Sequence, residues 1–118
     1  MPLISSFYGV LIYLYWLDNR QHHLPHIHAI YAGEEAVFAI ESGELLDGAL
    51  PRRQGRLVQA WVEIHRDELM ADWSLAVKGQ PVFAIDPLNL ETAVNRLLPL
   101  ARQHEFSVSH IRLATPFG

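Results

Sequence analysis

From Phe7 to Leu17 nearly every position is apolar, and most side chains are β-branched or aromatic: Tyr8, Val10, Ile12, Tyr13, Tyr15 and Trp16. That run predicts a buried strand. A polar stretch holding Asp18, Arg20, His22 and His23 follows, and Pro25 closes it. A second strand is expected at about 26–31. Strict alternation then puts His26, His28 and Ile30 on one face, and Ile27, Ala29 and Tyr31 on the other. Ala32-Gly33-Glu34 predicts a tight hairpin turn. A third strand at about 35–41 groups Ala36, Phe38 and Ile40. Ser42-Gly43 turns the chain again, and Leu45-Leu46 begins a short fourth strand. Connections this short join only antiparallel neighbours, so the first half reads as a meander.

Pro51 then opens a helical segment that runs to about Lys78, where Gly79 and Pro81 end it. Trp61, His65, Leu69 and Trp73 recur every four residues and form one stripe, expected to pack on the sheet. Asp67-Glu68 marks a place where the helix could break and restart. Val82–Ile85 has the makings of a further short strand. Asp86-Pro87 looks like a cap and first position of another helix, with Leu90, Ala93, Val94, Leu97 and Leu98 on its apolar face and Pro99 at its end. Ser107–Ala114 is a candidate last strand. The expected fold class is α+β: a small antiparallel β-meander of three to four strands against one long or broken helix, with a C-terminal helix and room for an edge strand. The expected organisation is an α+β domain at 1–88 and an extension at 89–118.

Composition narrows the chemistry. Half of the 118 residues are hydrophobic, enough for a real core. No cysteine is present, so disulfides and thiolate metal sites are excluded. Net charge is −4, unevenly spread. The first fifty residues hold one arginine against six carboxylates, whereas Arg52, Arg53 and Arg56 form a small basic patch. This balance disfavours broad nucleic-acid binding. The apolar run at 7–17 is too short for a membrane helix and has no charged leader before it, so a cytoplasmic protein is expected.

Candidate chemistry centres on histidine. Four of the seven histidines lie between residues 22 and 28. On a strand, His26 and His28 project side by side about 7 Å apart, close enough for two imidazoles to converge on one ion. His65, on the helical stripe, is the best third ligand, and His22 and His23 are loop candidates. With imidazole and carboxylate ligands alone, one transition metal ion, zinc or nickel first, is the cofactor to expect. Three protein ligands and one open position would give a hydrolytic centre, with Glu34, Glu35 or Asp18 as base. Without metal, His26, His28 and His65 are the acid–base candidates, and Arg52 or Arg53 could hold a phosphate near a helix start. The alternatives stay open: histidines bonded to carbonyls in a half-buried face, and arginines that merely solvate a helix end. The aromatic residues read mainly as core.

Several segments together resemble a known family. They are Met1-Pro2-Leu3-Ile4-Ser5, Phe7-Tyr8-Gly9-Val10, Pro25-His26-Ile27-His28-Ala29, Leu50-Pro51-Arg52-Arg53, Trp61 with His65, and Glu68-Leu69 through Trp73. Their order is similar to that of the small prokaryotic proteins grouped as domain of unknown function 4160, over about residues 1–88. The resemblance implies a small α+β domain and no established activity. It also implies a genomic setting beside another small protein, in arrangements suspected to be toxin–antitoxin modules. Three departures stand out: Ser6 replaces a basic residue, Leu24 replaces the first of two prolines, and residues 89–118 extend past the usual end. Two functions follow as expectations. One is a protein-binding component paired with a small partner from an adjacent gene. The other is a metal-dependent or histidine-based hydrolase or nuclease acting through His26 and His28. Self-association is open under either.

Overall fold

Five strands and two helices follow one another in a simple order. They are β1 (Leu3–Phe7), β2 (Val10–Tyr13), β3 (His26–Tyr31), β4 (Glu34–Ala39), β5 (Leu45–Gly48), α1 (Arg52–Ile64) and α2 (Arg66–Val77). The computed structural model describes residues 2–16 and 24–91. The strands form one antiparallel sheet in sequence order, β1-β2-β3-β4-β5. The fold is therefore α+β, as the hydrophobic pattern predicts, with one strand more. The chain divides into two compact units, Met1–Leu88 and Asn89–Gly118. Only 89–91 of the second are described. The candidate strand at 107–114 and most of the expected C-terminal helix lie outside the described residues.

The extra strand comes from splitting the first apolar run. Tyr8 and Gly9 have φ of 47° and 82°. Positive φ at both central residues defines a two-residue hairpin whose twist matches its strands. The apolar run thus turns back on itself after Phe7, and Phe7 pairs with Val10. Ala32 and Gly33, at 50° and 84°, make the same kind of turn and pair Tyr31 with Glu34.

Register decides which side chains share a face. Opposed residues point the same way, so Phe7, Val10, Ile12, Ile27, Ala29, Ala36 and Phe38 line one face. All seven are buried. α1 supplies Val58, Trp61 and Val62, spaced i, i+3, i+4 and buried. The Trp61 ring lies 5.4 Å from that of Phe7, which sets α1 against this face. Full burial of such side chains contributes roughly 1.5–3 kcal/mol each. His26 and His28 belong to the opposite face.

The long helical segment breaks at His65, two residues before the expected Asp67. His65 has φ −108° and ψ 23°. Backbone bonds bridge the break: the His65 N–H donates to Trp61 and the Leu69 N–H to His65. Asp67 and Glu68 sit in the first turn of α2, where carboxylates favour a helix start. At the far end, Gly79 (φ 75°) donates to Ala76 and Gln80 to Leu75, a glycine-terminated stop that satisfies the last carbonyls.

Residues 80–89 form neither the expected strand at 82–85 nor the expected helix start at Asp86. Tertiary bonds claim their backbone instead. Phe83 N–H donates to Asp72 Oδ1 at 3.0 Å, Ile85 N–H to the Ile4 carbonyl at 2.8 Å, and the Asp86 carbonyl accepts the Trp61 indole N–H at 2.8 Å. Ile85 and Leu88 are buried. Among the described residues no helix is long and apolar enough to cross a membrane.

Candidate functional site

The two strand histidines lie together. His26 and His28 share a face of β3, and their ring centroids are 5.2 Å apart. His26 is fully buried, and His28 is 7 % exposed. His26 Nδ1 is 2.7 Å from the Leu24 carbonyl oxygen. A carbonyl only accepts, so Nδ1 carries the proton and Nε2 the ring lone pair. Trp73 of α2 packs on the same ring at 5.1 Å.

His28 Nδ1 donates to Glu35 Oε2 at 2.7 Å. The hairpin turn explains the choice of carboxylate. Pairing Tyr31 with Glu34 places Glu35 opposite Ile30 and diagonal to His28 on the same face. Glu34 belongs to the other face, and Asp18 lies outside the described residues. Tyr15 meets the His28 ring edge-on at 6.1 Å. Each imidazole therefore has its Nδ1 proton fixed by an oxygen acceptor, an arrangement that orients Nε2.

His65 serves the helix break. Its Nδ1 donates to Glu68 Oε1 at 2.6 Å, and its ring lies 5.5 Å from Trp61. Trp61 packs on the Phe7 face, opposite the face of the histidine pair. The expected single stripe is thereby divided at the kink: Trp61 meets Phe7 and Trp73 meets His26. Among the described residues, no group of three or more His, Cys, Asp or Glu side chains is placed to hold a metal ion. His22 and His23 lie outside the described residues.

Arg52, Arg53 and Arg56 are exposed at the start of α1. Pro51 occupies the cap position without a side-chain cap bond, and the first turn holds no carboxylate. Two clefts adjoin this end. One is a shallow, open depression bounded by Arg52, Arg53, Arg56 and Leu57. The other, of about 240 Å3, runs between Phe38, Leu45, Leu50, Arg52 and Arg56.

One buried acid was not singled out from the sequence. Asp72 is 2 % exposed. Its Oδ1 accepts the Phe83 N–H, while Oδ2 is buried with no hydrogen-bond partner among the described residues. Burial, with a smaller push from nearby Glu68, raises its pKa above the ordinary carboxylate range, and the Phe83 bond partly opposes the rise. The i, i+3, i+7 spacing of Leu69, Asp72 and Ala76 was the available signal, since it puts the acid on the buried side of α2.

A five-stranded meander, a kinked helix pair and a buried imidazole pair define a small α+β protein. Its family model is that of domain of unknown function (DUF4160), which matches residues 9–74. The match spans more than half of the chain, and the chain belongs to that family. It is narrower than the resemblance over 1–88, leaving Met1–Tyr8 and the residues after Ser74 outside it. No curated protein and no solved structure matches the chain.

Proposed function

We propose that this protein is a cytoplasmic binding component that pairs with a small protein partner, encoded beside it in a toxin–antitoxin-like arrangement. The observation that carries this reading is the contrast between its two candidate surfaces. The imidazoles of β3 are buried and bonded to Leu24 and Glu35, where a substrate has poor access. The arginines at the start of α1 and Leu45 of the edge strand β5, 46 % exposed, face outward. Edge strands and uncompensated charge are common ingredients of protein recognition. The genomic part of the reading rests on the family resemblance alone. The test is co-expression with the product of the neighbouring gene and purification through a tag on one partner. A stoichiometric complex is expected. Separate elution, with no change in growth when either gene is expressed alone, would contradict the reading.

One observation favours a second reading. The His28–Glu35 dyad, with His26 beside it, has the form of an oriented acid–base pair, and Nδ1 protonation of both rings suits Nε2 ligation of zinc or nickel. A third ligand would have to come from His22, His23 or elsewhere outside the described residues. Incubation with RNA and model phosphodiesters, with and without added metal, tests it. Turnover that disappears in His26→Ala and His28→Ala supports this reading, and turnover that persists in them argues for a contaminant.

A further inference from the structure

We infer that the start of α1 and the adjoining groove form a docking surface for an acidic segment of a partner protein, anchored by one aliphatic or aromatic side chain. This rests on the binding reading above and names the chemistry of what is bound. Three observations carry it.

The first is charge in an unfavourable place. Cations at a helix N-terminus oppose its dipole, and like charges at i, i+4 repel. Arg52, Arg53 and Arg56 combine both penalties, with no acidic residue in the first turn and no side-chain cap. Among the described residues no side-chain hydrogen bond or salt bridge engages any of the three guanidinium groups. Carboxylates from a partner reverse each penalty and meet guanidinium forks suited to them.

The second is Gly55. It lies inside α1, where glycine is the least favourable residue after proline. Its φ is not positive, and a Cβ added there meets nothing within 4 Å. Neither backbone conformation nor packing within the described residues therefore explains it. It lines the groove between Arg52 and Arg56, and there it leaves the helix backbone open to close approach by another chain.

The third is the shape of the groove and its rim. Phe38, Leu45, Ala49 and Leu50 give it an apolar lining, and its volume of about 240 Å3 suits one large side chain. Gln59 on its wall donates to the Gly43 carbonyl, which ties α1 to the turn before β5. The six carboxylates of the first fifty residues oppose an extended polyanion such as RNA more than a short acidic segment.

The test is selection of a random-peptide display library on the folded full chain, in parallel with an Arg52→Gln/Arg53→Gln/Arg56→Gln variant and with Gly55→Ala. The selected peptide is then titrated by fluorescence anisotropy, with single-stranded RNA as a comparison. The expected consensus is rich in Asp and Glu around a Leu or Phe. Its affinity should fall at least about tenfold in the triple variant and measurably in Gly55→Ala, although that variant should melt at a higher temperature than the wild type. An absence of enrichment, a consensus without acidic character, undiminished binding by the triple variant, or tighter binding of RNA would each overturn the inference. If the neighbouring gene product still co-purifies with the triple variant, the docking surface is wrong and the binding reading stands. If no product co-purifies but the acidic peptide binds as expected, the reverse holds.

Discussion

The buried polar side chains set the residue-scale energetics. His26 fills space against Trp73 and satisfies the Leu24 carbonyl, so His26→Ala removes a packed ring and a hydrogen bond together. A loss of about 3 kcal/mol is expected, read from the denaturant midpoint. Glu35→Gln keeps an acceptor for His28 Nδ1 and should cost only about 1 kcal/mol, because Glu35 is half exposed. Asp72 couples stability to pH. Its folded pKa lies above the unfolded one, so the folded state holds its proton more tightly. Stability should fall as pH rises from the ordinary carboxylate range through the raised value, and recover as pH falls back. Asp72→Asn removes that slope and retains an acceptor for Phe83. Thermal melts across this window should show a flatter profile than the wild type, and an unchanged profile would assign the slope to another group.

At the scale of elements, turn chemistry separates what the sequence reveals from what it conceals. Ala32-Gly33 announces its hairpin, and counting outward from it gives the whole β3–β4 register, including Glu35 beside His28. Tyr8-Gly9 makes an equivalent turn, but Phe7 and Val10 flank it where Glu34 and Glu35 follow Gly33, so no polar residue marks the break. The apolar residues on both sides therefore read as one strand. The four-residue stripe on α1 and α2 identifies buried positions correctly at Trp61 and Leu69. It cannot reveal that the kink at His65 sends Trp73 to His26 rather than to the Phe7 face. The proline-flanked segment after α2 is irregular because Ile4, Trp61 and Asp72 bind its backbone, and such long-range bonds leave no local signature. Gly48 supplies a test at this scale. Its φ is 72°, and a Cβ there would collide with the Glu35 carbonyl oxygen. Gly48→Ala should cost at least roughly 2 kcal/mol and loosen the β4–β5 edge, visible as faster amide exchange in β5. Gly55→Ala, by contrast, should stabilise the fold by about 0.5–1 kcal/mol.

For the whole molecule, charge is divided between an acidic first half and an arginine cluster at the start of α1, and the proposed binding rests on this division. Attraction between that cluster and an acidic partner should weaken as salt rises, because exposed charges are screened within about 10 Å at 0.1 M ionic strength. The most direct measurement is a calorimetric titration of the neighbouring gene's product into the wild type, the triple arginine variant and a His26→Phe variant that keeps the core filled. Saturable binding to the wild type and to His26→Phe is expected, with a marked loss in the triple variant. No heat of binding to the wild type, accompanied by RNA or phosphodiester cleavage that depends on His26 and His28, would contradict the account and make the imidazole pair the working site.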